Sequence, residues 1–124
     1  MLVVEDNPFI ALALEEILTE RELIVVGVAR TLDQALTAAK TLEFDVALLD
    51  VNIGGEKTTG VADALKARDA PFVFATGYGR AGLPEGYAEH ALIEKPFYID
   101  EILNALRAAI AVQAPGKTAT RSSP

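Results

Sequence analysis

The regular alternation of short apolar runs with segments of helical period constrains this chain more than any other feature. Residues 2–4, 23–29, 46–49, 72–75 and 92–93 are compact apolar stretches, dominated by Val, Ile, Leu and Phe, of the length and composition that buried strands show. Asn7 and Pro8 supply a helix cap and a first-turn residue after the first run, and Ile10, Leu14, Ile17 and Leu18 then recur on one face. After the second run, Thr31 and Gln34 are spaced as a capping box ahead of Leu32, Ala35, Leu36, Ala39 and Leu42. Val61, Ala64, Leu65 and Arg68 mark a shorter third helix, and Ile99, Ile102, Leu103, Leu106 and Ile110 mark the last one.

Strands alternating with helices in this way require parallel pairing through right-handed crossovers, with helices on both faces of the sheet. The expected fold is therefore an α/β, doubly wound domain with a five-stranded parallel sheet. Between residues 77 and 89, Gly77, Gly79, Gly82, Pro84 and Gly86 break the helical pattern, so the fourth helix is expected to be short or irregular. Residues 1–112 form the domain, and from Gln113 the chain loses its apolar period, so 113–124 is expected to be a disordered tail.

Charge and composition narrow the function. Acidic residues outnumber basic ones by 18 to 11, for a net charge of −7, which removes the electrostatic basis for direct nucleic-acid or anionic-membrane binding. The absence of cysteine excludes disulfides, thiolate metal sites and thiol nucleophiles. No signal sequence or spanning stretch is apparent, and a cytoplasmic location is expected.

In doubly wound sheets, ligands bind beyond the carboxyl ends of the strands. Glu5 and Asp6 follow the first run, Asp50 the third, Thr76 the fourth and Lys95 the fifth, so these five residues should converge. Carboxylates so placed repel one another, by roughly 4 kcal/mol per pair at about 4 Å and an effective dielectric of about 20, and need a cation. An oxygen-only donor set suits a hard ion, Mg²⁺ or Mn²⁺, and the adjacent Glu5 and Asp6 are placed to share its binding. With Lys95 and the Thr76 hydroxyl beside it, such a site can stabilise a phosphoryl group moving in line onto a carboxylate. Asp50, alone at its strand end, is the natural acceptor.

The segments VVEDN, ALLD, FATG and EKPF, in this order and at these strand ends, resemble the receiver domains of bacterial two-component response regulators. The resemblance covers residues 2 to about 112. It implies a flavodoxin-like (CheY-like) fold with strand order 2-1-3-4-5 and phosphorylation of Asp50 by a sensor histidine kinase or a histidine phosphotransfer protein. It also implies Mg²⁺ held by Asp6, Asp50 and the main-chain carbonyl of Asn52, with Glu5 acting partly through water. Thr76 would follow the phosphoryl group, Lys95 would pair with it, and the change would be read by a downstream protein, as a stand-alone receiver without an output domain of its own. PFVFATGYG, DVNIGGE and VADAL further resemble the alphaproteobacterial subgroup known by its FATGUY motif, which implies a phosphate shuttle or competitor, often in stress signalling.

Two positions depart from the family pattern. Leu92 stands three residues before the lysine, where most receivers carry an aromatic switch residue, and Gly54 and Gly55 replace the usual proline after the acceptor. Tyr78 is open to two readings, a substitute for the missing aromatic or a cover over the site; Asn52 and Leu92 join it as modulators.

Other readings compete. The glycines at 77, 79 and 82 spell a dinucleotide fingerprint, but Pro84 and Gly86 spoil the helix that should receive the pyrophosphate. His90, the only histidine, reads as a solvated loop residue. An aspartyl-phosphate hydrolase of haloacid dehalogenase type would ask for an acid two residues after the nucleophile, where Asn52 stands. A receiver that binds constitutively, without phosphorylation control, is the other alternative. The preferred expectation is a phosphoacceptor signalling domain, not an enzyme beyond weak self-dephosphorylation.

Overall fold

A computed structural model describes residues 1–95 and 98–118, with side chains through residue 111. Among the described residues there are seven strands, β1 (Leu2–Val4), β2 (Gly27–Ala29), β3 (Ala47–Asp50), β4 (Asn52–Ile53), β5 (Glu56–Lys57), β6 (Phe72–Thr76) and β7 (Leu92–Glu94). Four described α-helices accompany them, α1 (Pro8–Glu20), α2 (Leu32–Thr41), α3 (Thr59–Ala67) and α4 (Ile99–Thr118), with a 3₁₀ turn at Gly79–Gly82. Five strands form one parallel sheet in the order β2-β1-β3-β6-β7, and β4 and β5 form a separate hairpin. Counted without the hairpin, this is the expected 2-1-3-4-5 order. None of the described helices is long and apolar enough to cross a membrane.

Strand alternation divides the core in two. Leu2, Val4, Leu49, Phe72 and Phe74 face α2 and α3, while Val3, Leu48, Val73 and Ala75 face the side covered by α1 and α4. Caps fix where the helices begin. The Asn7 side chain accepts the backbone N–H groups of Phe9 and Ile10, and Thr31 Oγ1 accepts that of Gln34. Gln34 reaches back to the N–H of Arg30, one residue outside the usual capping-box partner. At the other end of α2, Arg68 donates to the carbonyls of Ala39 and Leu42, which the helix leaves without internal partners.

Several local expectations are corrected. The second strand covers only Gly27–Ala29, because its ladder can be no longer than β1, and Leu2 already pairs with Gly27. The preceding residues lie outside the ladder, with Leu23 and Val25 packed on the core and Ile24 and Val26 exposed. In α1 the buried face is Ala11, Leu14 and Leu18; Ile17 is 37% exposed and Phe9 82%. The last helix is assigned over Ile99–Thr118 and so takes in residues 113–118 of the segment expected as a tail. Residues 119–124 of the expected tail, and Pro96 of the EKPF segment, lie outside the described residues.

The stretch after β3 in which Gly54 and Gly55 replace the usual proline forms a hairpin. Asn52 pairs with Lys57 and Ile53 with Glu56, around Gly54 and Gly55 at φ +59° and +83°. Positive φ at both central residues is what a tight two-residue hairpin turn needs, and Gly-Gly supplies it. A Cβ at either glycine would meet nothing within 4 Å, so substitution costs only backbone strain. Gly55→Ala is expected to lower the unfolding free energy by about 1 to 2 kcal/mol in urea denaturation, and Gly55→Asn by less. An unchanged midpoint for the alanine variant would contradict this turn.

Candidate functional site

Four strands end at one edge and deliver the charged residues there. Glu5 and Asp6 leave β1, Asp50 ends β3, Thr76 ends β6 and Lys95 follows β7. Carboxylate oxygens of Glu5, Asp6 and Asp50 lie within 4.8 Å of one another. Lys95 Nζ donates to Asp50 Oδ2 at 3.0 Å and to Glu5 Oε1 at 3.2 Å. The other Glu5 oxygen accepts the Asn7 N–H at 3.1 Å, and Asp6 Oδ2 accepts the Gly54 N–H at 2.9 Å. The backbone therefore orients two of the three acids, and Lys95 orients the third.

Burial sets the electrostatics. Asp50 is 8% exposed, and loss of water pushes its carboxyl up to about 6, against the opposing pull of Lys95 and with Glu5 adding to the rise. Asp6 is held below the usual carboxylate range, chiefly by the Gly54 N–H. Burial alone would lower Lys95, but its bonds and charge contacts with Asp50 and Glu5 outweigh that and raise it. One ammonium against three clustered carboxylates leaves the pocket short of positive charge. Its all-oxygen donor set fits a hard divalent cation, with Glu5, Asp6 and Asp50 as the side chains that would hold it.

Thr76 closes the pocket from the side. Its buried hydroxyl accepts the Tyr78 N–H at 3.0 Å, and its carbonyl accepts the Lys95 N–H at 2.8 Å, tying β6 to the residue after β7. The 3₁₀ turn presses against it so closely that a Cβ on Gly82 would lie 2.7 Å from Thr76 Oγ1. Tyr78 is 78% exposed and touches Thr76 through its backbone. Leu92 is half-buried, paired with Phe74 and packed against the α2–α3 core. Asn52 stands in β4 opposite Lys57, two residues beyond Asp50.

Three residues matter more than their sequence positions suggest. Thr58 is fully buried, and its hydroxyl donates to the Asp50 carbonyl at 2.7 Å. Tyr87 is buried against Phe72 and Phe74, and its hydroxyl donates to Asp63 Oδ1 at 2.7 Å, which with burial pushes the phenol up to about 12. His90, expected in solvent, is stacked on Phe72 at 4.1 Å with Nε2 2.8 Å from the Phe72 carbonyl. Burial lowers its pKa. Without a full crossover helix, an aromatic plug covers the strands instead, and no spacing rule in the sequence announces it.

The raised Asp50 carboxyl has a definite pH consequence. Its folded-state pKa of about 6 exceeds the ordinary 3.8, so the folded protein binds the proton more tightly than the unfolded chain does. Asp50's contribution to stability therefore falls as pH rises from about 4 to about 6, without divalent cations. Asp6 works with the opposite sign but below that window. In urea denaturation with a chelator, Asp50→Asn is expected to flatten this fall and to exceed wild type at pH 7 by on the order of 1 to 2 kcal/mol. A variant as steep as wild type would place the effect on another group.

Comparison with known proteins agrees with the geometry. The sequence matches the response regulator receiver domain over residues 1–107. It is 35% identical over 101 residues to the phyllosphere-induced regulator PhyR of Methylorubrum extorquens, covering 78% of this chain but only 38% of that protein. The solution structure of SdrG from Sphingomonas melonis is 43% identical, with a TM-score of 0.76 and coverage of 89% of this chain and 93% of that one. Its beryllofluoride-activated conformation, attributed to Pseudomonas melonis, gives 43% identity, a TM-score of 0.73 and coverage of 88% and 93%. With its sheet order, its acidic pocket and this match, the chain belongs to the response regulator receiver domains, the signalling modules of two-component systems.

Proposed function

We propose that the protein accepts a phosphoryl group on Asp50 from a sensor histidine kinase or a histidine phosphotransfer protein. The observation that carries this reading is the Lys95 ammonium bridging Asp50 and Glu5 within a carboxylate cluster that is still undercharged. In the transfer, the phosphorus–nitrogen bond of the donor's phosphohistidine breaks as a phosphorus–oxygen bond forms to the Asp50 carboxylate, and the imidazole leaves with its electron pair. Glu5, Asp6, Asp50 and the Asn52 carbonyl would hold Mg²⁺, which when bound would supply charge neutralisation at the transferred group. Lys95 pairs with a phosphoryl oxygen, and the Thr76 hydroxyl, whose own proton is not engaged in its bond from Tyr78, donates to another.

Two features support a protein partner on either side of this step. Phe9 and Leu12 on α1 are exposed, about one and two turns beyond the acidic pair, and give a donor protein apolar surface on the helix that follows it. The segment from Gly77 to β7 joins Thr76 to Lys95, so a change at both residues is felt by the same stretch and offered to a downstream protein. SdrG, 43% identical, has a beryllofluoride-activated conformation, which supports phosphoryl-type activation here too. A cytoplasmic protein, in reach of a kinase, is the setting this reading requires.

Intact-mass measurement after incubation with Mg²⁺ and acetyl phosphate tests the acceptor. One added phosphoryl group is expected on wild type and none on Asp50→Asn; equal modification of both would remove Asp50 from this role. Mg²⁺ at millimolar concentration is expected to raise the melting temperature of wild type, since it binds only the folded cluster, and to leave Asp6→Asn nearly unchanged. No rise in wild type would count against the metal site.

A further inference from the structure

Thr58 occupies the place of a helix cap without acting as one. It precedes α3, where a threonine side chain ordinarily accepts an N–H from the first turn, yet it makes no such bond. Its hydroxyl turns back instead, donating to the Asp50 carbonyl at 2.7 Å, with the Val51 carbonyl at 3.1 Å. Its N–H donates to the same Val51 carbonyl at 2.9 Å. The residue is 0% exposed.

The sheet explains why a donor is needed there. The β1 ladder ends with Val4 opposite Leu49, so no residue of β1 stands opposite Asp50. On the other side, the Val51 N–H reaches the Ala75 carbonyl, and the chain then leaves the sheet for the hairpin. A buried carbonyl beyond the end of its ladder must find a donor elsewhere or bear the cost of desolvation. Thr58, the first residue after β5, supplies it. The hairpin is thus pinned at both ends, at its base by Thr58 on the acceptor's backbone and at its tip by Asp6 on the Gly54 N–H.

The geometry points to Thr58 as a positioning residue for the acceptor: its hydroxyl fixes the Asp50–Val51 backbone so that the carboxylate stays on Lys95 and the hairpin stays on Asp6. The inference rests on the phosphoacceptor reading of Asp50. Thr58 touches neither the phosphoryl group nor the metal, and it acts through the main chain of the residue that does. A hydroxyl role and a packing role make opposite predictions here. Thr58→Val keeps the shape and loses the donor, whereas Thr58→Ser keeps the donor and loses a methyl.

The test follows phosphoryl uptake from acetyl phosphate by intact mass, alongside Mg²⁺ titrations of the amide spectrum with Val51 and Asn52 as reporters. Thr58→Val is expected to slow uptake by about tenfold or more, the scale on which small displacements of a reacting group act, and to weaken the Mg²⁺ midpoint. Thr58→Ser is expected to restore both to within about threefold of wild type, despite its missing methyl. Should Thr58→Val not fold, Thr58→Ala removes the hydroxyl without pressing a methyl on the two carbonyls and carries the same expectation. Uptake at the wild-type rate in the hydroxyl-free variant overturns the inference, and so does a serine variant as slow as it. Failure of the phosphoacceptor reading is separate, because wild type itself would then remain unmodified.

Discussion

Lys95 holds together two carboxylates that would otherwise drive each other apart, and much of the site follows from that one contact. Glu5 and Asp50 come from neighbouring strands and are both buried, so each loses the water that would screen it. A single ammonium between them, at 3.0 and 3.2 Å, offsets part of that cost and fixes where β7 must end. Because the Lys95 N–H also bonds the Thr76 carbonyl, the same residue ties β6 to the pocket. The compensation is incomplete, as the raised Asp50 carboxyl records, and an undercharged oxygen cluster of this kind is poised for a further cation.

Most of the architecture was legible because it depends on local chemistry. The β1–α1 junction follows from Asn7 and Pro8, which cap and start the helix whatever lies around them. The sheet order and the meeting of Glu5, Asp6, Asp50 and Lys95 follow from handedness and from the position of acids at strand ends. What escaped depends on partners distant in sequence. The run from Leu23 reads as strand throughout, yet its ladder is limited by the three residues of β1. Ile17 falls within the apolar period of α1, but the helix is rotated so that Ala11, Leu14 and Leu18 fill the space available. The hairpin was within reach, since Ile-Gly-Gly-Glu carries the chemistry of its turn. Thr58 and His90 were not, because a buried threonine or a stacked imidazole is recognised only by what surrounds it.

The crossover between β6 and β7 shows how the fold manages without a regular helix. Its far end is firmly anchored: Tyr87 is inserted against Phe72 and Phe74 and bonded to Asp63 of α3, His90 stacks on Phe72, and Arg80 donates to the carbonyls of Ala88 and His90. The end nearest the pocket is tied into the same network, because Arg80 belongs to the 3₁₀ turn and its two bonds join that turn to Ala88 and His90. The Tyr78 N–H on Thr76 and a contact from Lys57 to the Gly82 carbonyl, at 3.4 Å, add to them.

That tie bears on how the site communicates. A rearrangement that began at Thr76 and moved the glycine-rich turn would draw on Arg80, and through it on the carbonyls of Ala88 and His90 in the aromatic plug. Gly82 sets how closely the two ends can meet, since its missing side chain is what lets the turn lie against the Thr76 hydroxyl at all. Leu92, half-buried in the ladder with Phe74, offers no ring that could swing toward Thr76. In this receiver the segment that answers the pocket is therefore the backbone of residues 77–82 with the exposed Tyr78 it carries, and Arg80 is its link to the rest of the crossover.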